Sequence, residues 1–177
     1  LIARKIRQLN AKSEIVPFNE PIANVRKLAP EGIILSGGPA STYAKGAPRL
    51  NPKLLELGVP VLGICYGLQV VTRALGGKVD RGIVREYGRA EIEFDASDPL
   101  FKGIEQPATV WMSHGDRVDA PARGFKKIAW SGDCPYTAVS DAGRRIWGVQ
   151  FHPEVHHTVQ GEQILANFVF DICKASP

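Results

Sequence analysis

The chain has 177 residues, 44% of them hydrophobic and 23% charged, which suits one domain with a substantial core. Lys plus Arg number 22 and Asp plus Glu 18, and a net charge of +4 is too small for the concentrated basic stripe of a nucleic-acid binder. Three cysteines are too few and odd in number for a secreted disulfide scaffold, and no apolar run approaches the ~20 residues that cross a bilayer. The expectation is a cytoplasmic protein with neither nucleic acid nor membrane as partner.

In chain order, Leu1, Ile2, Ile6 and Leu9 recur at helical spacing between Arg4, Lys5 and Arg7, so the chain opens inside a helix. The charges break the apolar stretch and exclude a signal peptide. Residues 14–17 read as a short extended segment, and residues 32–35 as a buried strand ending in Ser36-Gly37-Gly38-Pro39. Residues 51–57 read as a short helix with Pro52 at its first position. Residues 59–64 form a second buried strand, and residues 67–75 a helix stopped by Gly76-Gly77. That alternation predicts a parallel sheet with helices on its faces.

Beyond it, residues 89–95 alternate apolar Ala90, Ile92 and Phe94 with Glu91 and Glu93, the pattern of a half-buried strand. Short strands follow at 108–113, 127–131, 136–140 and 145–151. Residues 161–173 carry Ile164, Phe168 and Ile172 on one stripe, an amphipathic helix that packs back on the sheet. The whole reads as one α/β domain over residues 1–177.

Gly63-Ile64-Cys65-Tyr66-Gly67 lies between the second strand and its helix, the setting of a nucleophile elbow. Glycines on either side remove side chains that would collide with strand and helix. Cys65 then stands at a helix N-terminus, where the dipole and unpaired N–H groups favour thiolate and the Tyr66 N–H faces any oxyanion formed there. Taken alone, the pentapeptide fits a buried structural cysteine equally well. Cys134 and Cys173 lack this setting and read as structural.

A thiolate nucleophile needs a base and a group that orients it. Of the four histidines His114, His152, His156 and His157, His152 follows an apolar strand in Phe151-His152-Pro153-Glu154. In an extended segment the His152 and Glu154 side chains project to one side, so the carboxylate can fix the imidazole tautomer. The alternative is a surface His-Pro turn with a solvated Glu. Zinc on His152, His156 and His157 is disfavoured because Pro153 prevents one helix from presenting them, so no metal is expected. The Gly37-Gly38 pair resembles a phosphate loop but lacks the following Lys-Ser/Thr, which leaves the Gly38 N–H as an anion-stabilising group.

Together these motifs resemble the class I, triad-type glutamine amidotransferases: Gly63-Ile64-Cys65-Tyr66-Gly67-Leu68-Gln69, Phe151-His152-Pro153-Glu154 and Ser36-Gly37-Gly38-Pro39. The resemblance is nearest to the amidotransferase domains of GMP synthases. It rests there on Tyr66 after the nucleophile, on residues 85–91, on Trp111-Met112-Ser113-His114-Gly115-Asp116-Arg117-Val118 and on residues 167–173.

The resemblance implies an open, mostly parallel, twisted sheet flanked by helices and carrying the elbow. Cys65 is then the nucleophile, His152 the base and Glu154 its orienting acid. Gly38 and Tyr66 form the oxyanion hole, and Gln69 lines the glutamine pocket. Ser113, His114, Gly115 and Asp116 line that pocket or face a synthetase domain, with a strand-end turn as the alternative. Glutamine is hydrolysed through a cysteine thioester, and the ammonia aminates XMP on an ATP-pyrophosphatase domain of the same enzyme. This domain itself takes no cofactor; ATP and Mg belong to that partner domain, expected after Pro177, and the complete enzyme is a homodimer. The family also begins with a buried strand that is missing before Leu1, and His156 stands where the subfamily often has Thr. The competing readings are an amidotransferase of another pathway, a stand-alone γ-glutamyl hydrolase and a non-catalytic regulatory relative.

Overall fold

In the computed structural model the backbone is described for residues 1–177 and the side chains for all but residues 83 and 84. A seven-stranded sheet runs in the order β1-β2-β7-β6-β5-β3-β4. Its strands are β1 (Ile33–Leu35), β2 (Val61–Ile64), β3 (Lys78–Phe94), β4 (Ala108–Ala120), β5 (Lys126–Trp130), β6 (Ala138–Asp141) and β7 (Ile146–Val149). Its helices are α1 (Ile2–Gln8), α2 (Ile22–Lys27), α3 (Tyr66–Ala74) and α4 (Gly161–Ala166). No helix among the described residues is long and apolar enough to cross a membrane.

The α/β class and the flanking helices are as expected, but the parallel part is narrower than the sequence suggests. Among the described residues only β1, β2 and β7 pair in parallel, while β3, β4, β5 and β6 add antiparallel pairings. The cause is connection length: the links β5–β6 and β6–β7 are a few residues each, and a parallel return needs a crossover of a dozen or more.

β2 and β7 lie side by side within the sheet, β2 flanked by β1 and β7 by β6, and are buried along their whole length. Alternation sends Leu62, Ile64, Trp147 and Val149 to one face, where they join Ile6 of α1 and Ile164 and Leu165 of α4. On the other face Val61 and Ile146 pack with Val71 of α3. Asp98 ties the first layer to the sheet: its carboxylate accepts from Trp147 Nε1 at 3.1 Å, Ser140 Oγ at 2.9 Å and the Leu100 N–H at 3.0 Å.

Several local expectations need correction. Residues 14–17 form no strand, and Ile15 is 78% exposed, so nothing satisfies the backbone pairing that a strand requires. The helix expected over residues 51–57 is a short 3-10 turn, Pro52–Glu56, capped by the Asn51 side chain on the Lys53 N–H. The C-terminal helix is α only through Ala166 and continues as a π-helix, Asn167–Ile172. There the Asn167 amide turns inward to donate to the Leu100 and Lys102 carbonyls, both at 2.9 Å, an inserted side chain of the kind that accompanies π geometry. α2 lies outside the expected elements, because one buried residue, Val25, leaves no periodic signal.

Candidate active site

Cys65 sits at the crossing from β2 to α3 with φ 54° and ψ −108°, a backbone region that L residues rarely occupy. The flanking glycines explain how the turn closes. A Cβ on Gly67 would lie 2.1 Å from the Leu35 carbonyl oxygen, and one on Gly63 would lie 2.7 Å from the Gly67 carbonyl carbon. Strand β1 and helix α3 therefore approach through a gap that admits no side chain. The Cys65 N–H donates to the Val149 carbonyl at 2.8 Å, which sets the elbow against the end of β7.

His152 follows β7 by three residues. Its loop is pinned to β4: the His152 N–H donates to the Trp111 carbonyl at 3.0 Å, and the Thr158 hydroxyl donates to the His152 carbonyl at 2.6 Å. Imidazole Nδ1 lies 2.8 Å from Glu154 Oε1, so Nε2 is the nitrogen left for the thiol. The imidazole is pushed up to about 10, first by its hydrogen bond with Cys65, then by that with Glu154, with burial opposing. Gly37 lies against both partners: a Cβ there would meet His152 Cε1 at 2.9 Å and Cys65 Cβ at 3.5 Å.

The first N–H groups of α3 have no acceptor within the helix, and Tyr66 is its first residue. Gly38 lies alongside, since a Cβ on it would be 3.9 Å from Tyr66 Cγ. The Tyr66 hydroxyl donates to the Pro48 carbonyl at 2.6 Å, which anchors the loop over the elbow. One cavity of about 1740 Å³ contains Cys65, Gly38, Tyr66, Gln69, His152 and Glu154. Ile6, Val25 and Phe168 also line it.

Ser113, His114, Gly115 and Asp116 line the same cavity, and they are strand, not turn, because β4 continues to Ala120. The Cys65 thiol points at the Ser113 carbonyl at 3.7 Å. His114 faces inward: Nδ1 lies 3.0 Å from the Asp116 carbonyl and Nε2 2.8 Å from Glu86 Oε2. A carbonyl accepts only, so Nδ1 carries a proton. Burial pulls His114 below the usual histidine range, against the Glu86 charge.

Among the described residues, Glu86, His114 and Cys134 are the one cluster with three ligand-type atoms within 4.8 Å of one another. The 2.8 Å between Nε2 and Oε2 is shorter than the roughly 3.3 Å that two ligands on a tetrahedral ion keep. Burial pushes the Cys134 thiol up to about 11 and Cys173 to about 12, so both are held as inert thiols.

The sequence reading missed two residues here. Glu86 gives no signal of its own on a strand of alternating charges. Gln150 does carry one, as a polar residue directly after four buried strand positions. It is wholly buried, and its amide nitrogen lies 3.6 Å from Cys65 Sγ.

A cysteine elbow at the head of a helix, with a histidine–carboxylate pair from the adjacent strand end, is an arrangement of α/β proteins that suits the chemistry of a nucleophilic thiol. Within that class the chain belongs to the class-I glutamine amidotransferase family, whose model matches residues 1–172. It is 49% identical over 176 residues to the GMP synthase [glutamine-hydrolyzing] of Caldanaerobacter subterraneus subsp. tengcongensis, covering 99% of this chain and 34% of that protein. It is 51% identical over 175 residues to the same-named protein of Aquifex aeolicus, with 99% and 34% covered. The chain thus spans about a third of the length of these curated relatives. Among solved structures, a protein described as a GMP synthase subunit, from Thermoplasma acidophilum, superposes with TM-score 0.81 at 30% identity, over 97% of this chain and 86% of that one. A glutamine amidotransferase from Thermotoga maritima superposes with TM-score 0.74 at 20% identity, over 96% and 90%, a likeness of fold.

Proposed function

We propose that this chain is the glutaminase part of a GMP synthase: it hydrolyses glutamine and supplies ammonia for the amination of XMP. The carrying observation is the joint placement of Cys65, at φ 54° on the head of α3, and His152, whose Nδ1 is taken by Glu154 at 2.8 Å. The near-half identity to GMP synthases over almost the whole chain supports the choice of acceptor.

In this reading the Cys65 thiolate attacks the side-chain carbonyl carbon of glutamine, and the Gly38 and Tyr66 N–H groups receive the oxyanion. Imidazolium at His152 gives its Nε2 proton to the nitrogen as the C–N bond breaks, and ammonia leaves a γ-glutamyl thioester. Neutral His152 then takes a proton from water, whose oxygen attacks the thioester. The C–S bond breaks, glutamate departs, and the thiolate–imidazolium pair is restored. Glu154 holds the imidazole in one tautomer throughout.

Gln69 and residues 113–116 contact the glutamine, and this domain uses neither metal nor cofactor. ATP and Mg belong to an ATP-pyrophosphatase partner domain in a cytoplasmic, homodimeric whole. A glutaminase assay of the chain alone and with an XMP- and ATP-loaded synthetase domain tests the reading. Hydrolysis that rises with the loaded partner and disappears in Cys65→Ala supports it. Full hydrolysis indifferent to the partner would instead indicate a stand-alone γ-glutamyl hydrolase.

A further inference from the structure

We infer that Gln150 is a positioning residue for the nucleophile, its side-chain N–H donating to Cys65 sulfur and holding the thiolate toward His152. The inference rests on the reading of Cys65 as nucleophile. Which end of the Gln150 amide faces the sulfur follows from the chemistry of its partners. The chain of contacts ends on the Asp116 backbone carbonyl, which can only accept. Gln69 therefore presents its amide nitrogen to that carbonyl, at 2.9 Å. The second proton on the same nitrogen points at Gln150 Oε1, 3.3 Å away. Gln150 thus has its oxygen committed, and its NH2 group is the end that lies 3.6 Å from Cys65 Sγ.

The backbone of Gln150 is fixed too, its N–H donating to the Thr137 carbonyl at 2.7 Å. The Asp116 carbonyl is held from a second side by His114 Nδ1 at 3.0 Å. A line of contacts runs from His114 through the Asp116 carbonyl, Gln69 and Gln150 to the sulfur. A neutral donor in a buried site favours the thiolate, a much stronger acceptor than the thiol sulfur. The Ser113 carbonyl, 3.7 Å from the sulfur, works in the opposite sense, since it accepts from a thiol and repels a thiolate. His152 and Gln150 are the groups that donate to the sulfur.

The test is the pH dependence of Cys65 alkylation by iodoacetamide, followed by peptide mass spectrometry, in the wild-type protein and in Gln150→Glu and Gln150→Leu. Glu keeps the shape and can still accept from Gln69, but offers the sulfur no donor. The expected result is an acid limb moved to higher pH by about one unit, which is a tenfold lower reactivity at a fixed pH below it. kcat for glutamine hydrolysis should fall by about tenfold or more, with KM changed little. In the uncharged Gln150→Leu a structural role alone would lower the folded fraction and leave the limb where it is, whereas the carboxylate of Gln150→Glu also raises the limb by its own charge.

A second measurement needs no variant. In uniformly 15N-labelled wild-type protein the Gln150 side-chain amide resonances should titrate with the Cys65 thiol and shift on its alkylation. Unmoved Gln150 resonances, or a wild-type acid limb in folded Gln150→Leu, would overturn the inference while leaving the nucleophile assignment intact. Glutamine hydrolysis persisting in Cys65→Ala would instead overturn the underlying reading.

Discussion

Cys65 holds φ 54° and ψ −108°, a conformation that costs an L residue on the order of 1–3 kcal/mol and glycine much less. Stability and activity should therefore separate at this position. Cys65→Gly is expected to be more stable than Cys65→Ala by about 1 kcal/mol, the reverse of the usual order, and both should lose activity. Urea denaturation of the two variants measures the difference, and a more stable alanine variant would show that the elbow is not strained.

His152 carries a pH signature with a definite sign. Its folded value lies above the ordinary 6.5, at about 10, so protonation favours the folded state. The stabilisation is fully present below pH 6.5 and disappears as pH rises through about 10. The Tm gap between wild type and His152→Gln should be widest near pH 6 and close toward pH 10. A gap that widens with pH would mean that the imidazole is not held charged.

At the scale of elements, the glycines between β2 and α3 decide how close strand and helix come. Gly67→Ala places a Cβ 2.1 Å from the Leu35 carbonyl oxygen, and with backbone on both sides the clash is not relieved by a rotamer change. A loss of about 3 kcal/mol or more is expected in denaturant unfolding. Gly132→Ala, where the new Cβ meets nothing within 4 Å, serves as the comparison and should stay within about 0.5 kcal/mol. Equal losses for the two would dismiss close packing as the reason for the elbow's composition.

These glycines and the Cys65, His152 and Glu154 set were legible in the sequence because each is a local pattern. A strand runs into a glycine-flanked turn, and two side chains stand two residues apart after a strand. The line of contacts through Gln69, Gln150, Asp116 and His114 was not legible, because it joins residues as far apart as 85 positions that periodicity cannot connect. The same holds for the π-helix after Ala166, set by Asn167 reaching the carbonyls of Leu100 and Lys102. The antiparallel half was not anticipated: a mostly parallel sheet was expected, and the short links that force antiparallel returns at β5–β6 and β6–β7 were not weighed.

At the scale of the molecule, one carboxylate joins distant parts of the chain. Asp98 receives hydrogen bonds from β6, β7 and the 3-10 turn after it, while the elbow lies at the far end of β2. Asp98→Ala leaves the buried Ser140 hydroxyl and Trp147 N–H short of an acceptor, and should destabilise the fold by about 2–3 kcal/mol. Because it touches nothing near Cys65, kcat of the folded fraction should stay unchanged. A stability loss accompanied by a proportional loss of kcat would mean that the two regions are coupled.

The central claim is that Cys65 forms the covalent bond to glutamine, and intact-protein mass spectrometry after acid-quenched incubation with glutamine tests it most directly. The expected result is a γ-glutamyl adduct mapped to the Cys65 peptide, absent in Cys65→Ala together with hydrolysis. Hydrolysis that continues in Cys65→Ala, or an adduct on Cys134 or Cys173, would contradict it.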